Sequence, residues 1–429
     1  MNLYSYSKGW DSPLADNWKC DEWEQRHRLL EDVTACSEVI GNYQKGPDIP
    51  TFAKEKPDIQ AMERKLFLAE GKERIVVVGN GGSIRNVWAL YTALIEKSSR
   101  RTLHLLDGTD PSGLLGELLR NDGRFSPENT LIVPVSKSGN TENVIQEVEL
   151  LSERGFPMIV VTVIGPSKLG KFAEKHQLER FQHPADVGGR FTAGQNNTLL
   201  PIALIQGDTG VIRAIDDSFA AAHKMLAPDV PPEKNMGKTL ALHLWKAELA
   251  GYTELFLPIY AKALSGLGEL IVQLVHESYC KEGKGQSVIF AEAPESQHHT
   301  NQRYFGGRRN IAGLTIRVDK FEQDPNVTDE ISCGTFLDLE HMGVVSEADR
   351  TGIPHMVLTL DSLSTRDVVA AIALWQWAVV YGGLLRGINP FDQPAVEGSK
   401  EDTVQMFKSF DSESRRRLDS YRLDAPSVL

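Results

Sequence analysis

Two loops that follow strand-like apolar runs have the composition of an anion site. The run RIVVV leads into GNGGS at 79–83, and LIVPV leads into SKSGNT at 136–141. Each loop precedes a segment with helical spacing, so backbone N–H groups and hydroxyls would converge at the positive end of a helix dipole. GNGGS lacks the G-x-G-x-x-G spacing of a dinucleotide site and the lysine of a P-loop. Alone, each could be a tight turn or a helix cap; together they predict a bound anion.

Several other side chains have types suited to chemistry. Arg190 follows two glycines in DVGGRFT, which place a planar donor fork at a crowded backbone position. Glu277 ends the largely apolar helical stretch QLVHES, where a carboxylate is either paired or functional. His298 and His299 follow the strand-like run SVIFAEA, and Lys400 follows NPFDQPAVEGS. A salt bridge, a surface loop or a solvated lysine would explain each of these residues alone, so only their joint occurrence indicates a site.

Alternating strand-like and helical segments would position these residues. From Arg74 onward, short apolar runs are each followed by a turn and a helical pattern, which predicts an α/β fold of two doubly wound parallel-sheet αβα sandwich domains. We expect an N-terminal helical arm without a strand at 1–60, a first domain at 61–226 and a second at 236–429 with a C-terminal helical segment. Loops at the carboxyl ends of the strands would then hold the ligand.

Composition narrows the functional class. The chain has 429 residues, 41% of them hydrophobic, and a net charge of −12, which argues against broad nucleic-acid binding. Its four cysteines lack metal-site spacing, as expected of a reduced, cytoplasmic protein without a bound metal. The start of the chain lacks the features of a signal peptide. The apolar run at 368–385 predicts a buried helix rather than a membrane span.

Together these segments resemble the phosphoglucose isomerase family, whose members contain two sugar-isomerase (SIS) domains. The resemblance rests on segments in this order: the loop at 79–83, SKSGNT at 136–141, VGGRFT at 187–192, QLVHES at 273–278, HHTNQRYFGGRRN at 298–310 and LLRGINPFDQPAVEGSK at 384–400. It implies an aldose–ketose isomerase of glycolysis and gluconeogenesis that acts on a small sugar phosphate without a cofactor. It also implies a homodimer in which the histidine enters the neighbouring active site.

The resemblance assigns roles residue by residue. Glu277 would move a proton between C2 and C1 of the sugar, and Arg190 would stabilise the enediolate formed on the way. His298 and Lys400 would open the sugar ring, although His299 could take the place of His298. The contacts to the sugar and its C6 anion would come from Gln273, Gln393, Gly82, Ser83, Ser136, the backbone of Lys137, Ser138 and Thr141.

Departures from the family pattern leave the substrate open. GNGGSIRN stands where the family has GIGGS followed by a leucine–glycine pair, and SKSGNT replaces SKSGTT. These changes would place Asn80, Arg85 and Asn86 near the site and put Asn140 where the family has a hydroxyl residue. The substrate could still be glucose 6-phosphate. The sequence does not distinguish it from mannose 6-phosphate, which differs in the configuration at C2. Alternatively, amide and guanidinium donors could bind the sulfonate of sulfoquinovose, which would be converted to 6-deoxy-6-sulfofructose. A non-catalytic sugar-phosphate sensor is a third hypothesis. Such a sensor would not need the four predicted catalytic residues together, namely Glu277, His298, Arg190 and Lys400.

Overall fold

The computed structural model describes residues 1–6, 21–120 and 122–424. Within them, ten strands form two five-stranded sheets. The strands are β1 (Asn2–Tyr6), β2 (Arg74–Val78), β3 (Thr102–Leu106), β4 (Thr130–Ser136), β5 (Ile159–Thr162), β6 (Glu179–Gln182), β7 (Glu254–Tyr260), β8 (Ser287–Glu292), β9 (Ile311–Lys320) and β10 (His355–Ser362). The first sheet has the order β3-β2-β4-β5-β6 and the second β1-β10-β9-β7-β8. All pairings are parallel except that of β1 with β10. The predicted α/β fold is confirmed.

Helices connect the strands and cover the sheets. In chain order they are α1 (Asp21–Glu31), α2 (Val33–Gln44), α3 (Ile59–Glu63), α4 (Gly82–Leu90), α5 (Leu114–Leu119), α6 (Glu142–Glu153), α7 (Lys168–Lys175), α8 (Asn196–Gln206), α9 (Gly210–Leu226), α10 (Met236–Leu249), α11 (Ser265–Tyr279), α12 (Thr300–Gly306), α13 (Cys333–Thr351), α14 (Thr365–Arg386), α15 (Glu397–Lys408) and α16 (Ser412–Asp424). Short 3-10 turns at Gly189–Phe191 and Glu295–His298 lie between them.

Both faces of the first sheet are buried, which is why its strands read as nearly continuous apolar runs. Along β2, Ile75 and Val77 pack into one hydrophobic core, whereas Val76 and Val78 pack into another on the opposite face. Helices cover each face, as in a doubly wound sheet. The loops after β2 and β4, two neighbouring strands, therefore meet at the same edge of the sheet.

The apolar run at 368–385 lies within α14, which packs against α9, α10 and α11. Among the described residues, α14 is long and apolar enough to span a membrane, but 94% of its most apolar window is buried inside the protein. Trp375 and Trp377 are fully buried on this helix. The prediction of a buried core helix is confirmed.

Residues 1–391 form one compact unit, and residues 392–429 form a second that contains α15 and α16. The two sheets both lie in the first unit, so the expected boundary between 226 and 236 stays a prediction. The expectation of an N-terminal arm without a strand is wrong at its start. Residues Asn2–Tyr6 form β1, which pairs with the edge of β10. So short a segment has little strand signal of its own, because its strand conformation depends on hydrogen bonds to a strand far away in the sequence.

Candidate active site

The SKSGNT segment forms a tight turn between the end of β4 and the start of α6. The hydroxyl oxygens of Ser136 and Thr141 lie 2.9 Å apart, and Ser136 Oγ accepts the backbone N–H of Gly139 at 3.1 Å. Gly139 has a φ of +63°, and a Cβ there would lie 2.4 Å from Ser167 Oγ. Only glycine fits this position without displacing its neighbours. The turn thus places Ser136, exposed Ser138 and Thr141 at the N-terminus of α6, the arrangement that favours an anion.

The GNGGS loop lies against the segment that carries Arg190. A Cβ on Gly82 would lie 2.0 Å from the carbonyl carbon of Gly189, so the two backbones are in direct contact. Gly81 has a φ of +55° and approaches the Gln273 side chain, whose Nε2 would be 2.9 Å from a Cβ at this position. The glycines are therefore required by contacts within the protein itself, of Gly82 with the Arg190 segment and of Gly81 with α11. Ser83 is half-buried at the start of α4.

Arg190 is buried at the centre of the site, with a side chain that is 1% exposed. Its Nε donates to Ser278 Oγ at 2.9 Å, one terminal nitrogen donates to Glu277 Oε2 at 3.1 Å, and the other donates to the Pro390 carbonyl at 2.5 Å. Three acceptors in three directions fix the plane of the guanidinium. Its Cζ also lies 4.9 Å from the centre of the Phe191 ring.

Glu277 lies near the end of α11 and receives hydrogen bonds at both carboxylate oxygens. Gln273 Nε2, one helical turn earlier, donates to Oε1 at 2.9 Å, while Arg190 donates to Oε2 at 3.1 Å. The Glu277 side chain is 25% exposed, so it is held from two sides and still reachable. The structure brings Gly82, Gln273, Glu277 and Arg190 into one connected cluster, an arrangement able to hold a carboxylate base beside a fixed cation.

The two adjacent histidines differ in their contacts. His299 Nε2 lies 2.8 Å from Glu295 Oε2, and its Nδ1 lies 2.7 Å from Thr300 Oγ1. His298, at the end of the 3-10 turn Glu295–His298, is exposed, and its ring makes no hydrogen bond within the described residues. His298 is thus the one whose ring stays available to a ligand or another chain.

Lys400 and Gln393 belong to the second unit. Lys400 lies on α15 with its side chain 61% exposed, and its ammonium is 3.4 Å from Glu397 Oε1 on the same helix. Gln393 precedes the 3-10 turn Pro394–Val396. Glu277 belongs to the first unit, and the assignment of Lys400 to ring opening and of Gln393 to sugar binding stays a prediction.

Three polar residues near the anion loops are already engaged within the protein. Arg85 on α4 is paired with Glu269 on α11. Asn140 donates from Nδ2 to the Ser138 carbonyl at 3.1 Å and accepts the Lys168 N–H at 3.1 Å. The Lys137 ammonium donates to the Val187 carbonyl at 3.0 Å, and burial lowers the pKa of this lysine below its usual value. Within the described residues, no group of three or more His, Cys, Asp or Glu side chains could hold a metal ion.

No family model matches this chain. A probable glucose-6-phosphate isomerase from Natronomonas pharaonis is 30% identical over 76% of the chain and 77% of its own length. The chain belongs to the glucose-6-phosphate isomerase family. A second relative, a glucose-6-phosphate isomerase of Rubrobacter xylanophilus, is 28% identical over 88% of the chain and 93% of its own length.

Family membership makes the chain an enzyme, an isomerase of the aldose–ketose class with an SIS-type fold. The fold is also that of a solved glucose-6-phosphate isomerase from Chlamydia trachomatis, with a TM-score of 0.73 at 21% identity over 98% of the chain and 84% of that structure. At this identity the structural likeness concerns the fold alone.

Two residues with a part in the site were not assigned a role from sequence. Ser278 orients Arg190 through its hydroxyl, and Asn86 joins the two glycine-containing loops. Ser278 follows Glu277 directly, so the sequence shows that it lies beside the predicted base. The sequence does not show its hydrogen bond with Arg190, which is 88 positions away in the chain.

Proposed function

We propose that this protein interconverts glucose 6-phosphate and fructose 6-phosphate in the cytoplasm. The observation that carries the proposal is the Glu277 carboxylate, which is held at both oxygens by Gln273 and Arg190 and is still partly exposed. A carboxylate in this setting can remove a proton next to a carbonyl when substrate binds within hydrogen-bonding reach. Relatives named glucose-6-phosphate isomerase support the same activity.

In the proposed mechanism, the hydroxyl and backbone donors of the two loops hold the C6 phosphate. His298 and Lys400 assist the transfer of the proton between the ring oxygen and O1 that opens the sugar. Glu277 takes the proton from C2, and the electrons of the C–H bond form a cis-enediolate with negative charge on O1. The Arg190 guanidinium stabilises that charge. A proton then moves from the O2 hydroxyl to O1, which transfers the negative charge to O2. Glu277 returns its proton to C1 while the C2–O2 bond becomes the ketone carbonyl, so the ketose forms with no net change in oxidation of the sugar.

A phosphate substrate is supported over a sulfonate by the contacts of Arg85 and Asn140. The sulfosugar hypothesis depended on these two side chains as additional donors to the anion. The Arg85 guanidinium faces Glu269, and the Asn140 amide N–H is directed to the Ser138 carbonyl. The remaining donors are hydroxyls and backbone N–H groups, which suit a phosphate that carries nearly two charges.

We also propose a homodimer in which His298 serves the partner's site. The exposure of this ring, together with its lack of hydrogen bonds in the described part of the chain, supports a role outside its own surroundings. Sedimentation of the purified protein, followed by mixing of an inactive His298→Ala variant with an inactive Glu277→Gln variant, tests this point. Shared sites predict that the mixture regains part of the activity.

Purified protein incubated separately with glucose 6-phosphate, mannose 6-phosphate and sulfoquinovose tests the substrate. We expect ketose formation from glucose 6-phosphate with kcat/KM at least about tenfold above that of the others, a difference of about 1.4 kcal/mol in transition-state binding. Faster turnover of sulfoquinovose would replace the proposal with the sulfosugar reaction. No turnover of any of the three would refute it.

A further inference from the structure

A fully buried asparagine joins the two loops that come together at the site. Asn86 lies in the second turn of α4 and has no exposed surface. Its Nδ2 donates to the Gly82 carbonyl at 2.6 Å and to the Gly189 carbonyl at 2.8 Å, and it lies 3.3 Å from Thr192 Oγ1. Gly82 precedes Ser83 in the first anion loop, and Gly189 precedes Arg190. One carboxamide therefore bridges the anion loop and the arginine segment.

The backbones of Gly82 and Gly189, which Asn86 joins, are too close together to admit a side chain on Gly82. A Cβ on Gly82 would lie 2.0 Å from the Gly189 carbonyl carbon and 2.4 Å from the Arg190 nitrogen. The two carbonyls can each accept one hydrogen of the Asn86 amide, although Gly189 is 103 positions from Asn86 in the chain. Its Oδ1 is buried without a hydrogen bond in the described residues. Such an orphan acceptor costs about 1–3 kcal/mol, so the residue is not explained by stability alone.

We propose that Asn86 is a positioning residue that fixes the distance between the anion anchor and Arg190. This inference rests on the proposed function and deepens it. A phosphorylated sugar must reach from the hydroxyl loops to the guanidinium that stabilises the enediolate. Rigid spacing of these two ends aligns the reacting carbons with Glu277, whereas a shift of about 1 Å can cost 100-fold in rate. Asn86 acts only through the two backbones that it joins.

The test compares a ligand that uses one end of the site with a ligand that uses both. Inorganic phosphate needs only the anion loops, whereas a phosphorylated aldonohydroxamate, whose planar group imitates the enediolate, also needs Arg190. In the Asn86→Leu variant we expect the Kd for phosphate to stay within about twofold, and the Kd for the hydroxamate to rise at least about tenfold. The kcat should fall at least about tenfold, with a smaller change in KM.

A matched control and a milder variant keep the test decisive. Asn197 is also fully buried and donates to Thr192 Oγ1 at 2.8 Å, with its own Oδ1 unbonded, but it has no hydrogen bond to Gly82 or Gly189. Asn197→Leu should cost similar stability and leave the ratio of the two Kd values unchanged. If Asn86→Leu does not fold, Asn86→Ser is used, because serine can still bond the carbonyl four residues earlier but is too short to reach Gly189.

The outcomes separate this inference from the function on which it rests. Wild-type protein that isomerises glucose 6-phosphate and binds both ligands, with an Asn86 variant that loses both affinities equally or neither, overturns the positioning role alone. The same ratio change in Asn197→Leu would also overturn it, by showing a general effect of lost packing. Wild-type protein that binds neither ligand overturns the proposed function and this inference together.

Discussion

Arg190 donates a hydrogen bond to the Glu277 carboxylate at 3.1 Å, although the two residues are 87 positions apart in the chain. Arg190 belongs to the segment after the first sheet, and Glu277 to α11 beside the second. The pair therefore joins elements from both sheets at the point where proton transfer is proposed. Because Gln273 holds the other oxygen of Glu277, the orientation of the carboxylate depends on contacts from two directions.

Glu277→Gln should abolish isomerisation with little loss of binding. The amide keeps the shape of the side chain but cannot accept the substrate proton, so we expect kcat to fall by about 100-fold to 10,000-fold. Stopped assays of ketose formation measure the rate, and calorimetry with inorganic phosphate measures binding. Phosphate affinity within about threefold of the wild type is the expected control result. Activity equal to that of the wild type would remove Glu277 from the mechanism.

Arg190→Lys should lower kcat even though the positive charge is kept. An ammonium group cannot direct three donors at once to Ser278, Glu277 and Pro390. Loss of one fixed donor to a developing oxyanion typically costs 100-fold to 1,000-fold in kcat, about 3–4 kcal/mol. Thermal unfolding of the same variant shows how much of the effect is structural. Unchanged kcat in a folded variant would contradict the role of the guanidinium in stabilising the enediolate.

His298→Ala and His299→Ala form a matched pair. His298 is exposed without a hydrogen bond in the described residues, whereas His299 contacts Glu295 and Thr300. We expect kcat with the cyclic sugar to fall by about 100-fold or more in His298→Ala, because proton transfer during ring opening is lost. The His299 variant should stay within about threefold of wild type, since it loses only a surface contact. The reverse order would assign ring opening to His299.

Asn140→Thr should change substrate affinity less than Ser138→Ala on the same loop. The Asn140 amide already bonds the Ser138 carbonyl and the Lys168 N–H, so it fixes the turn, whereas the Ser138 hydroxyl, which accepts the Asn140 backbone N–H at 3.2 Å, is proposed to donate to the anion. We expect KM for glucose 6-phosphate to rise less than about threefold in Asn140→Thr and about tenfold in Ser138→Ala. A large loss of phosphate preference over sulfonate in Asn140→Thr would instead place its side chain on the substrate.

Patterns within one segment were sufficient to predict most of the strands and the anion loops. The run TLIVPVS forms β4 at the predicted place because both of its faces are buried. Two strands are not predicted from the sequence, each for its own reason. β6 reads ERFQ, with little apolar signal, and pairs with β5 only. β1 pairs with β10, whose residues lie 349 (Tyr6 and His355) to 357 (Asn2 and Thr359) positions later in the chain.

The candidate site shows the same limit. Glu277 and Arg190 were found from their types and the segments around them, since each motif is local. The role of Asn86 depends on the close approach of Gly82 to Gly189, a contact between distant segments that no spacing within one segment records. The sequence predicts Arg85 and Asn140 as donors for an anion; in the structure Arg85 pairs with Glu269, and Asn140 Nδ2 donates one hydrogen bond to the Ser138 carbonyl.

Glu147 should make the protein less stable as the pH rises. This glutamate on α6 is fully buried, and neither carboxylate oxygen has a hydrogen bond within the described residues. Burial, with a smaller effect of Asp107, raises its pKa from 4.5 to about 7. Because the folded state holds the proton more tightly than the unfolded state, the stabilisation is fully present below the unfolded pKa. It is lost as the pH rises through the folded pKa.

Glu147→Gln removes this titration while it keeps the shape of the side chain. The free energy of unfolding of the variant, relative to wild type, should therefore rise by about 2 kcal/mol between about pH 5 and pH 8. Urea denaturation at several pH values measures the difference. Glu149→Gln, at an exposed position two residues further along α6, is the matched control, because it removes a carboxyl group from the same helix without changing the buried one. An equal pH dependence in both variants would contradict the assignment to Glu147. A pH-independent difference for Glu147→Gln would mean that this carboxyl group does not titrate in the folded protein over that interval.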